Sequence, residues 1–271
     1  LAAWKLQPKA LRIRTLRKQI NIEQALPAGL HFKIANTKDE LTQALQLAQI
    51  SYEKEQLCEK SKSGLRITKY HTAPTTTVLV GKVFDEVIAT VTVIADGPLG
   101  LPADAAWDLD QFRTKNLRLA EVSSLAIKDN YRRQKALLLL PVLSFAHRYA
   151  FDYLKVDLFI AVTHKIVSDD YTGVLMFKPL KIRPGCKYNL VTDARPAGHI
   201  LDLRTAPQVF KEQYENCKPH QDLHHLFFRS SKYNMQYPER EFTKLMDPVL
   251  SPDDLKFCIS SLTDGDIQLS N

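Results

Sequence analysis

The chain has 271 residues, 45% hydrophobic and 25% charged, with a formal charge of +7 at pH 7. These proportions fit a globular protein with one sizeable core or two smaller ones, and exclude a fibrous or disordered chain. No apolar run reaches the roughly 18–20 residues of a membrane-spanning helix, and the scattered cysteines Cys58, Cys186, Cys217 and Cys258 form no Cys-x-x-Cys pair, which predicts reduced thiols and a cytoplasmic setting.

The chain starts at Leu1 rather than Met, and the stretch after it does not read as a signal peptide, so an upstream segment is expected. Lys5, Lys9, Arg12, Arg14, Arg17 and Lys18 follow with no acidic residue among them. That basic run is either a solvated linker or helix face, or a surface that attracts an acidic partner such as acyl carrier protein, an anionic membrane touched peripherally, or nucleic acid. The absence of a zinc-finger or RNA-binding aromatic signature argues against nucleic acid. Leu26-Pro27-Ala28-Gly29 is a turn signal. Residues 1–29 are therefore expected to be a basic linker or helix, 30–204 the main domain, and 205–271 a helical extension packing on it.

Leu30–Ile34 alternates like a strand, with Phe32 on the inner face. Thr37-Lys38-Asp39-Glu40 is a capping box, and Leu41, Ala44, Leu45, Ala48 and Tyr52 recur on one helix face behind it. The β-branched runs 75–82 and 87–94 flank Phe84-Asp85-Glu86 and read as a hairpin. A turn-rich link, 96–102, leads to a predicted helix over 104–115. The pattern then predicts a strand at Arg118–Ile127, a helix over 134–153 kinked at Pro141, a buried strand at 156–162, a helix over 164–175 and a last strand at 198–203. Strands that pair early and then alternate with helices indicate an α+β or α/β sheet.

Glu121 lies on the predicted strand face shared with Leu119, Ser123 and Leu125. A carboxylate on a partly apolar face needs a partner or a task. Burial raises a carboxyl pKa and suits it to general-base chemistry; a salt bridge to Arg118 is the other reading. Ser123 and Ser124 lack a Gly-x-Ser-x-Gly setting and read as small residues that let a ligand approach the backbone. A bulge or splay there would let an amide-bearing arm pair as an added strand. Arg132, Arg133 and Gln134 stand where a turn enters a helix, a place that attracts phosphate. His164 opens a segment directly after a buried strand, where ligands collect in such sheets. Cys217, His220, His224 and His225 have ligand types at zinc-like spacing but no second cluster beside them, so no metal is expected. Leu223, Leu226, Phe227 and Phe228 form an apolar cluster in the helical stretch that follows.

Several segments together resemble the long-chain N-acyl amino acid synthases, GNAT-fold enzymes related to acyl-homoserine-lactone synthases. They are Thr75-Thr76-Thr77-Val78, Ala89 to Val93, Asp96 through Pro102, Leu119-Ala120-Glu121-Val122-Ser123-Ser124-Leu125-Ala126-Ile127, and Thr163-His164 leading to Tyr171 and Met176 to Leu180. The resemblance implies an α+β fold with a mixed, mostly antiparallel central sheet flanked by helices. It implies transfer of a long acyl group from the phosphopantetheine arm of acyl carrier protein to the α-amine of an amino acid, with no metal or other cofactor. In that scheme Glu121 takes the amine proton, and Tyr171 protonates the leaving thiolate. Val122, Ser123, Ser124, Leu125, Ala126 and Ile127 carry the arm; Arg118, Arg132, Arg133, Gln134 and His164 complete the binding surface. The acyl-CoA signature of related enzymes is not matched, since Lys135 stands where its first Gly belongs; a carrier-protein donor, with its single phosphate, makes less demand on that cradle. A non-catalytic module that binds lipid or acyl carrier protein is the competing expectation, and a lactone-forming synthase using S-adenosylmethionine ranks below both. Oligomeric state is not legible in the sequence.

Overall fold

A computed structural model describes residues 7–23, 25–186, 196–230 and 234–236; of residues 132–137 and 234 it describes the backbone alone. An eight-stranded sheet runs in the order β6-β7-β5-β4-β3-β2-β1-β8. The strands are β1 (Leu30–Ile34), β2 (Thr76–Val83), β3 (Glu86–Ala95), β4 (Leu119–Ile127), β5 (Leu158–His164), β6 (Lys178–Pro179), β7 (Pro196–Asp202) and β8 (Asn234–Met235). The pairs β1–β2, β2–β3, β3–β4, β5–β7 and β6–β7 are antiparallel; β4–β5 and β1–β8 are parallel. The helices are α1 (Lys9–Lys18), α2 (Lys38–Lys54), α3 (Asp110–Arg113), α4 (Lys135–Arg148), α5 (Ser168–Gly173) and α6 (Ala206–Tyr214). The expected α+β architecture, a mixed and mostly antiparallel sheet between helices, is the one observed.

Each sheet face carries its own core. On one face Leu41, Leu45 and Ala48 of α2 meet Val78, Val80 and Ala126. Thr37 caps α2 as expected, its hydroxyl accepting the Glu40 N–H at 3.2 Å. The Glu40 carboxylate instead reaches Asn36 N–H and the ammonium groups of Lys33 and Lys82. At the far end of this face a second cluster gathers Leu101, Trp107 and Leu109 over Ile94, Leu119 and Ile160. Trp107 lies on Gly198 so closely that a Cβ there would sit 2.4 Å from the indole, which is why β7 needs glycine at that point. On the opposite face α4, α6 and the Leu223–Phe227 cluster cover Phe32, Leu79, Val93, Ala120 and Val122. Each such aromatic or aliphatic burial contributes about 1.5–3 kcal/mol.

Three expectations are corrected. The predicted helix over 104–115 is a 3-10 turn at Pro102–Ala105 and a single α-turn at Asp110–Arg113, because Trp107 leaves the helical path to bridge Ile182. The predicted helix over 164–175 is shorter: β5 continues through His164, and a 3-10 turn at Lys165–Val167 precedes α5. The helix predicted to reach Tyr153 ends as α-helix at Arg148 and widens into a π-turn at Tyr149–Tyr153. The two-residue strands β6 and β8 are too short to leave a periodic signal.

Candidate active site

The ladder between β4 and β5 is short. It runs from Leu119–Leu158 to Val122–Ala161 and stops, although β4 continues to Ile127 and β5 to His164. Beyond Val122 the two parallel strands therefore part. At the same level β4 is bulged against β3: Thr92 faces Ser123 and Thr90 faces Ala126, so one intervening β3 residue opposes Ser124 and Leu125. Ser124 takes a φ of 49°, in the left-handed region that a non-glycine residue seldom adopts.

Glu121 lies at the base of this gap and is 1% exposed. Its Oε2 accepts the Ala103 N–H at 2.7 Å. The turn carrying Ala103 is itself fastened: the Asp104 carboxylate accepts the Leu101 N–H at 2.7 Å, and Arg113 bridges Asp104 and Asp96, each at 2.6 Å. Burial pushes the phenol of Tyr70 up to about 12, with the Glu121 charge as the second cause and Asp104 the third.

Tyr52 was read as the last rung of an aliphatic helix stripe. The structure sends it to the bulge. Its phenol oxygen lies beside the Ser124 N–H, and the Arg66 guanidinium lies 4.1 Å above its ring. Burial raises the Tyr52 pKa; Arg66 and the Ser124 N–H pull the other way, and the Glu121 charge adds to the rise. A hydroxyl at the end of a Leu/Ala stripe was the one available signal. Arg66 left none, because it sits in a loop whose path the sequence does not specify.

Tyr171 approaches from α5. It stacks on His199 at 5.3 Å and meets Phe177 edge-on at 5.4 Å. Burial raises its pKa above the ordinary phenol value, with the nearby Tyr52 phenol as second cause and Asp170 as third. His199 is fully buried, its Nε2 3.1 Å from Thr163 Oγ1, and burial brings it down to about 4. Tyr171 also lines an apolar cavity on the α4 face, together with Val122, Phe159, Phe177, Phe210 and Phe227. Phe227 thus joins a cavity wall, while Leu223 and Leu226 pack the core.

The remaining candidates divide. Val122, Ser123, Ser124, Leu125, Ala126 and Ile127 edge the gap or the strand beyond it. Arg118 does not reach it: it stands at the opposite end of β4, mostly exposed, paired with Asp157 at 3.6 Å. The sequence reading that paired Arg118 with Glu121 is therefore corrected. His164 lies at the end of β5, where its Nδ1 accepts the Ile166 N–H at 3.1 Å and caps the following turn. The 3-10 turn Asp129–Gln134 enters α4 as expected, but the side chains of Arg132, Arg133 and Gln134 lie outside the described residues. Among the described residues no cluster of three or more His, Cys, Asp or Glu side chains is placed to hold a metal ion, and His224 packs on Phe228. Cys58, Cys186 and Cys217 are free thiols. Among the described residues no helix is long and apolar enough to cross a membrane.

Solved structures share this arrangement of strands. FeeM, an N-acyl amino acid synthase from uncultured soil microbes, superposes with a TM-score of 0.56 at 19% identity, over 66% of this chain and 93% of that one. BjaI, a CoA-dependent acyl-homoserine lactone synthase solved with SAM and isopentyl-CoA, superposes with a TM-score of 0.50 at 13% identity, over 86% of this chain and all of that one. At such identities the likeness establishes the fold, which is GNAT-like. No curated protein matches the chain. The family described as N-acyl amino acid synthase FeeM matches residues 43–189, more than half of the sequence, and that span carries Tyr52, Arg66, Glu121, the bulge and Tyr171. The chain belongs to this N-acyl amino acid synthase family, and its class of chemistry is acyl transfer to nitrogen.

Proposed function

We propose that the protein moves a long-chain acyl group from the phosphopantetheine thioester of acyl carrier protein to the α-amine of an amino acid. The observation that carries this is the end of the β4–β5 ladder at Val122, one residue past Glu121, with Val122 itself lining the apolar cavity on the other face. The phosphopantetheine arm lies along residues 123–127 as an added strand. The acyl chain runs past Val122 toward Tyr171 on the α4 face, which must part its apolar side chains to admit it. The amino acid approaches from the α2 side, its carboxylate toward Arg66 and its amine toward Glu121. The amine nitrogen attacks the thioester carbonyl, forming the amide bond; the C–S bond breaks, Glu121 takes the amine proton, and the departed thiolate becomes a thiol by taking a proton from solvent, to which Glu121 later releases its own. A thioester is electrophilic enough that holding the amine close and deprotonated does most of the catalysis. Burial keeps the Tyr171 phenol protonated more firmly than an ordinary thiol near 8.5. Tyr171 therefore serves the leaving sulfur as a hydrogen-bond donor rather than by giving up its proton, a revision of the role the resemblance implies.

The net positive charge supports a carrier-protein donor, since acyl carrier proteins are acidic and opposite charge speeds encounter. Lys135 in place of the first glycine of the CoA cradle supports the same choice. The test is a mass-spectrometric assay with long-chain acyl-carrier-protein, matched acyl-CoA and a mixture of amino acids. The expected product is an N-acyl amino acid formed faster from the carrier-protein thioester. Tight donor binding without any acylated amino acid would support the binding-module reading and overturn this one.

A further inference from the structure

A groove of about 420 Å³ lies between α1 and the end of α6. Its α1 wall carries Arg14, Arg17 and Lys18. Their spacing of i, i+3 and i+4 puts the three cations on one helix face. No residue lining the groove is acidic; Ala10, Ile13 and Tyr214 supply its apolar part. Arg12, also on α1, is neutralised by Asp169 at 2.6 Å. Among the described residues no carboxylate pairs with Arg14, Arg17 or Lys18.

Both walls are fastened. Gln221 Nε2 donates to Lys18 O at 3.2 Å, and the Ile22 N–H donates to His220 O at 2.9 Å. Arg17 Nε donates to Gly173 O at 2.8 Å, and its guanidinium lies 5.9 Å from the Tyr214 ring centre. Tyr214 in turn donates its hydroxyl to Val174 O at 2.6 Å. The groove is thus held open at a fixed width, with Arg17 already in place. Like charges on one helix face repel. The helix dipole rewards cations in the last turn, but Arg14 stands before it. An anion reached by all three side chains offsets that repulsion. A phosphate monoester fits best, with a charge of about −1.5 to −2 near pH 7 and three acceptor oxygens; a carboxylate brings one charge and two. The volume falls in the roughly 300–1,000 Å³ range of small-molecule sites and leaves room beside a phosphate for an apolar body.

We propose that this groove binds the phosphate monoester of an amphipathic ligand. The phosphate sits among Arg14, Arg17 and Lys18, and a short hydrocarbon portion lies against Ala10, Ile13 and Tyr214. The proposal stands apart from the acyl-transfer reading and holds or fails without it. A soluble alkyl phosphate and a lipid headgroup share this chemistry.

The test is calorimetry on the whole chain near physiological ionic strength with hexyl phosphate, inorganic phosphate and hexanoate. Hexyl phosphate saturates one site and binds about tenfold more tightly than either of the others, since each lacks the hydrocarbon or the second charge. Arg14 and Lys18 are exposed, so the double variant Arg14→Gln, Lys18→Gln keeps the fold; it weakens hexyl phosphate about tenfold or more. Lys9→Gln, on α1 but outside the groove, leaves the affinity unchanged. Vesicles of phosphatidylcholine with and without phosphatidic acid separate the sources. Capture by phosphatidic acid that the double variant loses puts the phosphate on a lipid; hexyl phosphate binding without capture puts it on a soluble ligand. The proposal is overturned if hexyl phosphate shows no saturable binding, if hexanoate equals it, or if Lys9→Gln costs as much as the double variant. It is also overturned if the double variant loses acyl carrier protein while hexyl phosphate does not bind, because the cations then serve a protein surface.

Discussion

Glu121 and Tyr171 flank the same opening, but their surroundings give them different work. The Glu121 carboxylate is nearly sealed and holds the Ala103 N–H. On the proposed mechanism, in Glu121→Gln the amide oxygen still accepts that N–H while proton uptake is lost. The expected result is a fall in kcat of about 10²–10⁴, the usual range for a positioned base, with donor affinity almost unchanged. Equal losses in turnover and in donor binding would remove Glu121 from the base role. Tyr171 stands above its ordinary pKa because it is buried and faces Tyr52 and Asp170. The direction matters: a raised phenol pKa means the hydroxyl stays protonated up to and beyond pH 10. Tyr171 therefore contributes no alkaline limb to the rate profile below that pH. On the proposed mechanism, Tyr171→Phe keeps the stack on His199, removes one donor to the leaving sulfur and lowers kcat on the order of tenfold. The pH profile of the variant, measured from pH 6 to 10, keeps the shape of the parent profile. An alkaline limb that disappears in Tyr171→Phe would show that the phenol itself gives up its proton.

Between the residue and the whole sheet stands the turn that presents Ala103 to Glu121. It is a 3-10 turn of four residues, too short to hold itself, and it depends on Arg113. That side chain gathers Asp96 from the end of β3, Asp104 from the turn and Asp110 from its own helix, and the three carboxylates hold it protonated. Arg113 acts at one remove: it positions the turn whose Ala103 N–H holds the Glu121 carboxylate. Arg113→Ala leaves Asp96 and Asp104 facing each other unneutralised and frees the turn. A misplacement of about 1 Å can cost up to about a hundredfold in rate, so the variant should lose kcat with little change in KM for the donor, whose binding strand lies on the far side of Glu121. Arg113→Lys restores charge without the fork and should recover only part of the loss. Loss confined to KM would place Arg113 in donor binding instead. The motif of turn plus distant arginine has no sequence signature, since its partners are 17 and 9 residues away across a segment that reads as one helix.

At the level of the whole molecule, what was legible followed periodicity. The alternation of β1 to β5 and the Leu/Ala stripe of α2 report faces directly, because burial on one side of a strand or helix leaves a repeat. The bulge at Ser124 was suggested by two small residues in an apolar strand, and the side of Glu121 followed from strand parity. Tyr52, Arg66 and His199 escaped because each joins the site through tertiary packing between segments far apart in sequence. The same packing makes stability depend on pH. His71, His147 and His199 are all buried; burial pushes them down to about 4, about 3 and about 4, with Arg66, Arg148 and Lys9 adding in the same direction. In the unfolded chain each titrates near 6.5. Between about pH 6.5 and 4 the unfolded state therefore binds more protons than the folded one, and stability falls as the pH falls. Each histidine contributes up to about 1.4 kcal/mol per pH unit in that window. Below it, the lowered carboxyl groups of Glu40 and Asp202 add their own losses. Urea unfolding at pH 7, 6 and 5 should show the midpoint dropping at each step, and His147→Phe should flatten the slope by the share of one histidine. A midpoint that stays level from pH 7 to 5 would mean that these rings are solvated in solution, and the closed packing around His147 would fall with them.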